Sequence, residues 1–183
     1  MMMRPIYLII FVCMVLFPST MRANLEQEPV QAGGTLPDST LVYLPLIDQA
    51  HVGLSAVDLA LKSADLGGSF TLTSQSQDSA ETYETAFTEH NADGQIVGAD
   101  VFVFNALGNA AVDFADTVAF YRSDPALTEQ PSSSVGAESV LFKGAGAQYL
   151  MIFYRSNVAV IIGTQNLSAN ETLAIAAKIN AKF

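Results

Sequence analysis

The sharpest set of metal-ligating side chains in this sequence runs from Glu89 to Asp100, EHNADGQIVGAD. In the register of a calcium-binding loop, Asn91, Asp93, Gly94, Ile96 and Asp100 fall at positions 3, 5, 6, 8 and 12. Alternate oxygen donors there can wrap a hard cation, and the glycine permits the sharp turn. Both ends depart from the pattern, with Glu89 in place of the shorter aspartate and Asp100 in place of a bidentate glutamate. The flank Val101–Phe104 also reads as a strand, where a helix–loop–helix calcium site needs an exiting helix. An Asp93-Gly94 hairpin turn explains the same residues more simply, which leaves calcium a minor alternative.

Nucleophilic and metal chemistry find less. The two histidines, His51 and His90, stand 39 residues apart without the spacing of a ligand cluster, and each reads as a surface or loop histidine. Gly53-Leu54-Ser55-Ala56-Val57 comes nearest to a nucleophile elbow, but it lacks the closing glycine and no strong strand precedes it. Ser55 already has a role as a helix cap. A Ser–His–acid triad assembled by the fold from distant residues stays open as a hydrolase alternative. Gly144-Ala145-Gly146 has no following lysine and precedes a strand, unlike a phosphate loop. Asn166-Leu167-Ser168 and Asn170-Glu171-Thr172 have the form of N-glycosylation acceptors, though Asn170 serves equally as a helix cap. The sequence therefore assigns no catalytic, cofactor-binding or metal-ligating residue.

Whatever these residues do, the elements around Gln148–Gly163 must position it. Tyr149–Arg155 and Val158–Ile162 are rich in β-branched, aromatic and aliphatic side chains, and Ser156-Asn157 breaks them as a tight turn. Tyr149, Met151 and Phe153 occupy one face, with Leu150, Ile152 and Tyr154 on the other. A strand apolar on both faces belongs in mid-sheet under cover. Upstream, Ser55 caps a helix that carries Val57, Ala60, Leu61 and Ala64 on one face and ends at Gly67-Gly68. Leu54 and Leu59 are placed as a hydrophobic staple.

Ser69–Thr73, Glu81–Glu89 and Gln95–Phe104 read as strands. Asn105 caps an amphipathic helix over Ala106–Tyr121, with Leu107, Ala111, Phe114, Val118 and Tyr121 inward and Pro125 as its stop. Asp124–Ser134 reads as a loop and Glu138–Lys143 as a strand. A last helix, Glu171–Phe183, carries Ile175, Ile179 and Phe183 as its apolar stripe, with Glu171 early and Lys178 and Lys182 late to suit the helix dipole. This order predicts an α+β fold, an antiparallel sheet with two to three helices packed on it.

Residues 1–23 have the form of a secretory signal peptide, with Arg4, the apolar core Tyr7–Phe17 and a cleavage site after Ala23. The core is too short to span a bilayer, so no stable membrane span is expected once it is cleaved. A flexible lead-in over 24–40 and a single domain over 41–183 follow, with Leu41–Ile47 as a possible edge strand. Cys13 is the one cysteine and falls in the leader, which excludes disulfides from the mature part. Arg4 and Arg22 leave with the leader, so the 160 residues after it carry 6 basic against 18 acidic side chains, a charge of −12. Nucleic acid and anionic membrane surfaces are poor partners for such a chain.

Three motifs carry a resemblance. Ala64-Asp65-Leu66-Gly67-Gly68-Ser69-Phe70 resembles a helix followed by Asp-Leu-Pro-x-Gly-aromatic and a strand. Val135-Gly136-Ala137-Glu138 is similar to a Leu-Gly-Asp-Glu lead into a strand, and Tyr154-Arg155-Ser156-Asn157-Val158 to a Phe-Arg-x-Gly-Asn-Val hairpin. Together, across Leu54–Phe183, these resemble small exported bacterial domains of the lipoprotein and kinase-extracellular-sensor types, some with a PsbP-like α+β fold. The chain departs from them in lacking the proline of the first motif, in placing Ser156 for a glycine, and in having no disulfides. The resemblance implies a non-catalytic binding or interaction module with no active-site residues to carry over. With the leader, the expectation is a secreted or extracytoplasmic domain (periplasm or cell surface) whose partner is an unknown protein or small apolar ligand. In the small-ligand alternative the molecule would be carried between the sheet and the helix Ala106–Tyr121.

Overall fold

A computed structural model describes residues 53–183. The expected leader, the lead-in, the Leu41–Ile47 run and His51 lie outside the described residues. The elements are α1 (Ala56–Leu59), α2 (Ser63–Leu66), β1 (Thr71–Ser79), β2 (Tyr83–Ala92), β3 (Gln95–Phe104), α3 (Asn109–Arg122), β4 (Thr128–Gln130), β5 (Glu138–Lys143), β6 (Gln148–Arg155), β7 (Val158–Gln165) and α4 (Ala169–Asn180). All seven strands join one antiparallel sheet in the order β1-β2-β3-β7-β6-β5-β4. The fold is the expected α+β, and β6 and β7 are interior strands as their two apolar faces require.

Two cores follow from that pattern. On one face Met151, Phe153, Val158, Val160 and Ile162 pack with Val97, Val101 and the apolar side chains of α1 and α4, including Leu59, Ile175 and Ile179. On the other, Ile152, Ala159, Ile161, Phe102 and Phe142 pack against Phe114, Val118 and Tyr121 of α3. Fully burying a side chain such as Phe153 stabilises the domain by roughly 1.5–3 kcal/mol. Asn157, buried in the β6–β7 turn, donates from Nδ2 to the Phe104 carbonyl at 2.8 Å and accepts from the Phe104 N–H at its own carbonyl, which ties the turn to the end of β3. Ser156 holds φ +56° where the resembling hairpin motif carries glycine.

Several expectations are corrected. The single helix after Ser55 is two turns, α1 and α2, parted by extended backbone at Ala60 and Lys62. The Lys182 ammonium of the C-terminal segment takes the carbonyls of Ala60 (2.8 Å) and Leu59 (3.4 Å), and the break lets Leu61 turn into the core. The inward face is accordingly Ala56, Leu59, Ala60 and Leu61, while Val57 and Leu54 are exposed, so no staple closes over Leu59.

Helix α3 begins at Asn109, three residues later than expected. Asn105 instead donates from Nδ2 to the Glu81 carbonyl at 2.6 Å, and Leu107 is exposed. Helix α4 is capped by Ser168 rather than Asn170, in a reciprocal capping box with Glu171. The loop over 124–134 contains the short edge strand β4, and β1 runs six residues beyond the expected Thr73.

Gly136 has φ +69°, and a β-carbon there would collide with the Tyr154 carbonyl; Gly94 has φ +80° with open space around it. Gly136→Ala should therefore cost about 2–3 kcal/mol or more, and Gly94→Ala about 1 kcal/mol. Urea denaturation followed by circular dichroism checks the ranking.

Candidate functional site

Strand β2 alternates cleanly, burying Ala86, Thr88, His90 and Ala92 and leaving the residues between them partly exposed. The buried set faces the same side of the sheet as α1 and α2. On the neighbouring edge strand, Gln77 pairs with Ala86, Gln75 with Thr88 and Leu72 with His90. Leu72 and Gln75 are three apart and would fall on opposite faces of a regular strand. A bulge between Leu72 and Ser74 corrects the parity and turns Leu72 to the His90 side. Thr73, the extra residue, donates from Oγ1 to the Glu89 carbonyl and to its carboxylate, each at 3.1 Å.

Between this strand pair and the α1–α2 elbow lies a half-open cleft of about 460 Å³. Thr88, His90, Gln75 and Leu72 line it from the sheet, and Ala60 and Leu61 from the elbow. Ordinary small-molecule sites occupy some 300–1,000 Å³. Among the described residues four buried side-chain polar atoms have no hydrogen-bond partner, and two of them, Thr88 Oγ1 and His90 Nδ1, belong to residues that line the cleft but are themselves sealed from solvent. Thr88 is 7% exposed and His90 only 1%. An unpaired polar atom buried this way costs about 1–3 kcal/mol. At the mouth, Leu72 is 45% exposed and Val57 49% exposed, and Leu72 is the lone apolar residue of an otherwise polar strand.

The elbow that roofs the cleft is pinned from α4 and the residues just after it. Lys182 Nζ donates to Asp65 Oδ2 at 2.7 Å as well as to the two α1 carbonyls, which uses all three of its protons. Lys178 Nζ donates to the Asp65 carbonyl, and Asp65 Oδ2 accepts from the Lys62 N–H at 2.9 Å. Burial works against the Asp65 charge, yet the Lys182 ammonium and the Lys62 N–H hold its carboxyl below the usual carboxylate range. Burial pushes the His90 imidazole below its ordinary value, a shift the Asp65 carboxylate partly offsets.

His90 is thus no surface or loop histidine. The signal available in sequence was the parity opposite the conspicuous one. Tyr83, Thr85 and Phe87 alternate visibly, but the small and neutral set Ala86, Thr88, His90 is the one buried by the elbow.

The expected chemistries fare differently. Asp93 and Gly94, with φ +45° and +80°, turn the β2–β3 hairpin, and Asp100 sits inside β3 opposite Phe87, where its carboxylate accepts from Thr85 at 3.3 Å. A calcium loop needs these oxygens converged, and a ladder holds them apart. Ser55 is a cap: its Oγ meets Asp58 Oδ2 at 2.7 Å and accepts from the Asp58 N–H. Among the described residues His90 makes no Asp–His bond of a triad, since its Nδ1 is unpartnered and Asp65 is engaged by Lys182. Among the described residues no group of three or more His, Cys, Asp or Glu could hold a metal, and no helix is long and apolar enough to cross a membrane. The face expected to carry a ligand, under α3, holds the aromatic pairs Phe114–Tyr154 and Tyr121–Phe142; the cleft lies on the opposite face.

No protein-family model and no curated protein sequence matches this chain. Its fold is similar to that of the extracellular domain of PknH from Mycobacterium tuberculosis, with a TM-score of 0.54 over 73% of this chain and 98% of that one. The two are 12% identical, and the likeness is one of fold.

Two outcomes are expected. The folded state resists protonating His90, so its contribution is complete above the ordinary histidine value of about 6.5 and is lost as pH falls below it. Wild type should lose melting temperature from about pH 7 to about pH 5 more steeply than His90→Gln, read by differential scanning calorimetry. Lys182→Met, which keeps the apolar stem, should cost about 1–3 kcal/mol and speed amide exchange between Leu59 and Leu66 while α3 is unaffected.

Proposed function

We propose that the chain is an exported, non-catalytic binding domain whose small-molecule ligand sits in the cleft between the α1–α2 elbow and the β1–β2 edge. The observation that carries this reading is the half-open, ligand-sized space itself, about 460 Å³, lined by Thr88, His90, Gln75 and Leu72 on the sheet and by Ala60 and Leu61 on the elbow. A concave space of this size, walled by apolar side chains with a few polar ones among them, is the ordinary setting of a small-molecule site. Leu72 and Val57, exposed at its rim, support an apolar component in that ligand.

Export is supported by the signal-like residues 1–23 and by the fold likeness to an extracellular domain. The finer PsbP-like affiliation rests on the three sequence motifs alone. A secreted or cell-surface location suits the acidic mature chain, which has few basic groups for nucleic acid or anionic lipid. The non-catalytic part of the reading is supported by the disposition of the acid and base, with Asp65 held by Lys182 and His90 without a hydrogen bond at Nδ1.

Native mass spectrometry of the mature chain, purified gently from its host, tests the reading. Excess mass that vanishes on denaturation is expected in wild type. It should be absent from Gln75→Trp, which fills the cleft from an exposed edge-strand position and removes no core side chain. A bare polypeptide mass in wild type, or an adduct that Gln75→Trp retains, would contradict it.

A further inference from the structure

The sheet ends in two edges, and the sequence treats them differently. At one end β4 has three residues, its Glu129 is ion-paired to Arg122 at 2.9 Å, and Pro131 follows at once. A short edge with a charge and a proline is poor ground for a further strand. At the other end β1 has nine residues, and among the described residues it pairs on one side only, with β2. Every β1 residue but Ser74 is exposed. It contains neither lysine nor proline, and from Gly67 to Ala80 the one charged side chain is Asp78. The bulge that turns Leu72 is confined to the start of the strand, and from Ser74 to Ser79 the ladder with β2 is regular. Along that stretch every second residue directs its backbone N–H and C=O away from β2, the template a further strand requires.

Charge selects what can pair there. The chain after the leader carries −12, so two copies repel over most of their surface, and contact between them needs a stretch free of like charge. β1 is such a stretch, and it is its own complement. Antiparallel pairing about a two-fold axis at Ser76 sets Ser76 against its own copy, Gln75 against the partner's Gln77 and Ser74 against the partner's Asp78. Gln75 and Gln77 share the elbow face with Ala86 and Thr88, so their amides can bond across the axis there. The two Asp78 carboxylates would stand about 14 Å apart along the paired strands, beyond the screening length of about 8 Å in physiological salt. A peptide from another protein would have to match this neutral, extended pattern; a second copy already carries it at the right length.

We infer that β1 is a self-association edge, through which two copies join antiparallel over Ser74–Ser79 and continue the sheet from one into the other. The contact is the same patch on both copies, so it closes on itself and the assembly stops at a dimer. The two-fold axis is normal to the sheet and keeps both α1–α2 elbows on one face. The two clefts then flank the paired strands, with Gln75 and Gln77 of each copy between them. This edge pairing does not depend on what the cleft holds.

Sedimentation velocity of the mature chain over a concentration series is expected to show reversible monomer–dimer exchange. Ser76→Asp and Ser76→Lys each place two like charges face to face at the axis, and both should weaken the dimer by about tenfold or more with an unchanged circular dichroism spectrum. Cys13 leaves with the leader, so an introduced thiol has no other to react with. Under mild oxidation Ser76→Cys should form a covalent dimer far faster than Ser79→Cys, whose copies stand about 20 Å apart in this register. A wild-type chain that stays monomeric at every concentration would overturn the inference, and slow amide exchange along β1 in that monomer would mean that something other than a second copy covers the edge. A dimer that survives both Ser76→Asp and Ser76→Lys, or equal crosslinking at the two cysteines, would also overturn it.

Discussion

Two-sided burial of the central strands governs this domain. β3, β6 and β7 are apolar on both faces, so the sheet holds together only if helical layers cover it front and back. α3 covers one face over β3, β6 and β7. α4 covers the other over β6 and β7, and the small α1–α2 elbow extends that layer toward β2 and β3. Cover therefore runs out near β1. Where it does, the sheet changes from aliphatic residues to Ala86, Thr88 and His90 on β2 and to glutamines on β1, and a cleft opens between elbow and edge.

The elbow is too short to stand as a helix. Two four-residue turns fall far below the length at which a helix holds itself, so tertiary contacts must fix them. The capping box of Ser55 and Asp58 supplies part of this, and burial of Leu59 and Leu61 more. Lys182 supplies the rest by taking the carbonyls that a continuous helix would have used internally. The roof of the cleft is thus set by a lysine more than a hundred residues downstream, and its position depends on α4 being docked.

Much of this was legible in the sequence and some was not, for physical reasons. The β6–β7 hairpin, β3 and β5 could be placed because double-faced apolar runs bounded by turn residues have few other ways to fold. Helix α3 was legible from Phe114, Val118 and Tyr121, but its start was not, since Asn105 found a tertiary acceptor in Glu81. The α1–α2 break was invisible because its cause, Lys182, is remote in sequence. For the site, the Asp93-Gly94 turn was read correctly, while His90 was misplaced at the surface. Large side chains on Tyr83 and Phe87 suggested the wrong buried face; Tyr83 packs on Phe102 and Phe104 at the margin of the α3 core and stays only partly covered. The bulge that aims Leu72 leaves no local sequence mark beyond an apolar residue on a polar strand.

The central claim, that the cleft between elbow and edge holds a ligand, is tested most directly by hydrogen–deuterium exchange on two preparations. One is the chain as isolated from its host; the other is the same chain unfolded, dialysed and refolded. Greater protection in the first, confined to the elbow Val57–Ser63, the edge Leu72–Gln77 and the strand Ala86–His90, is the predicted result. Identical exchange throughout, or a difference centred on α3, would contradict it.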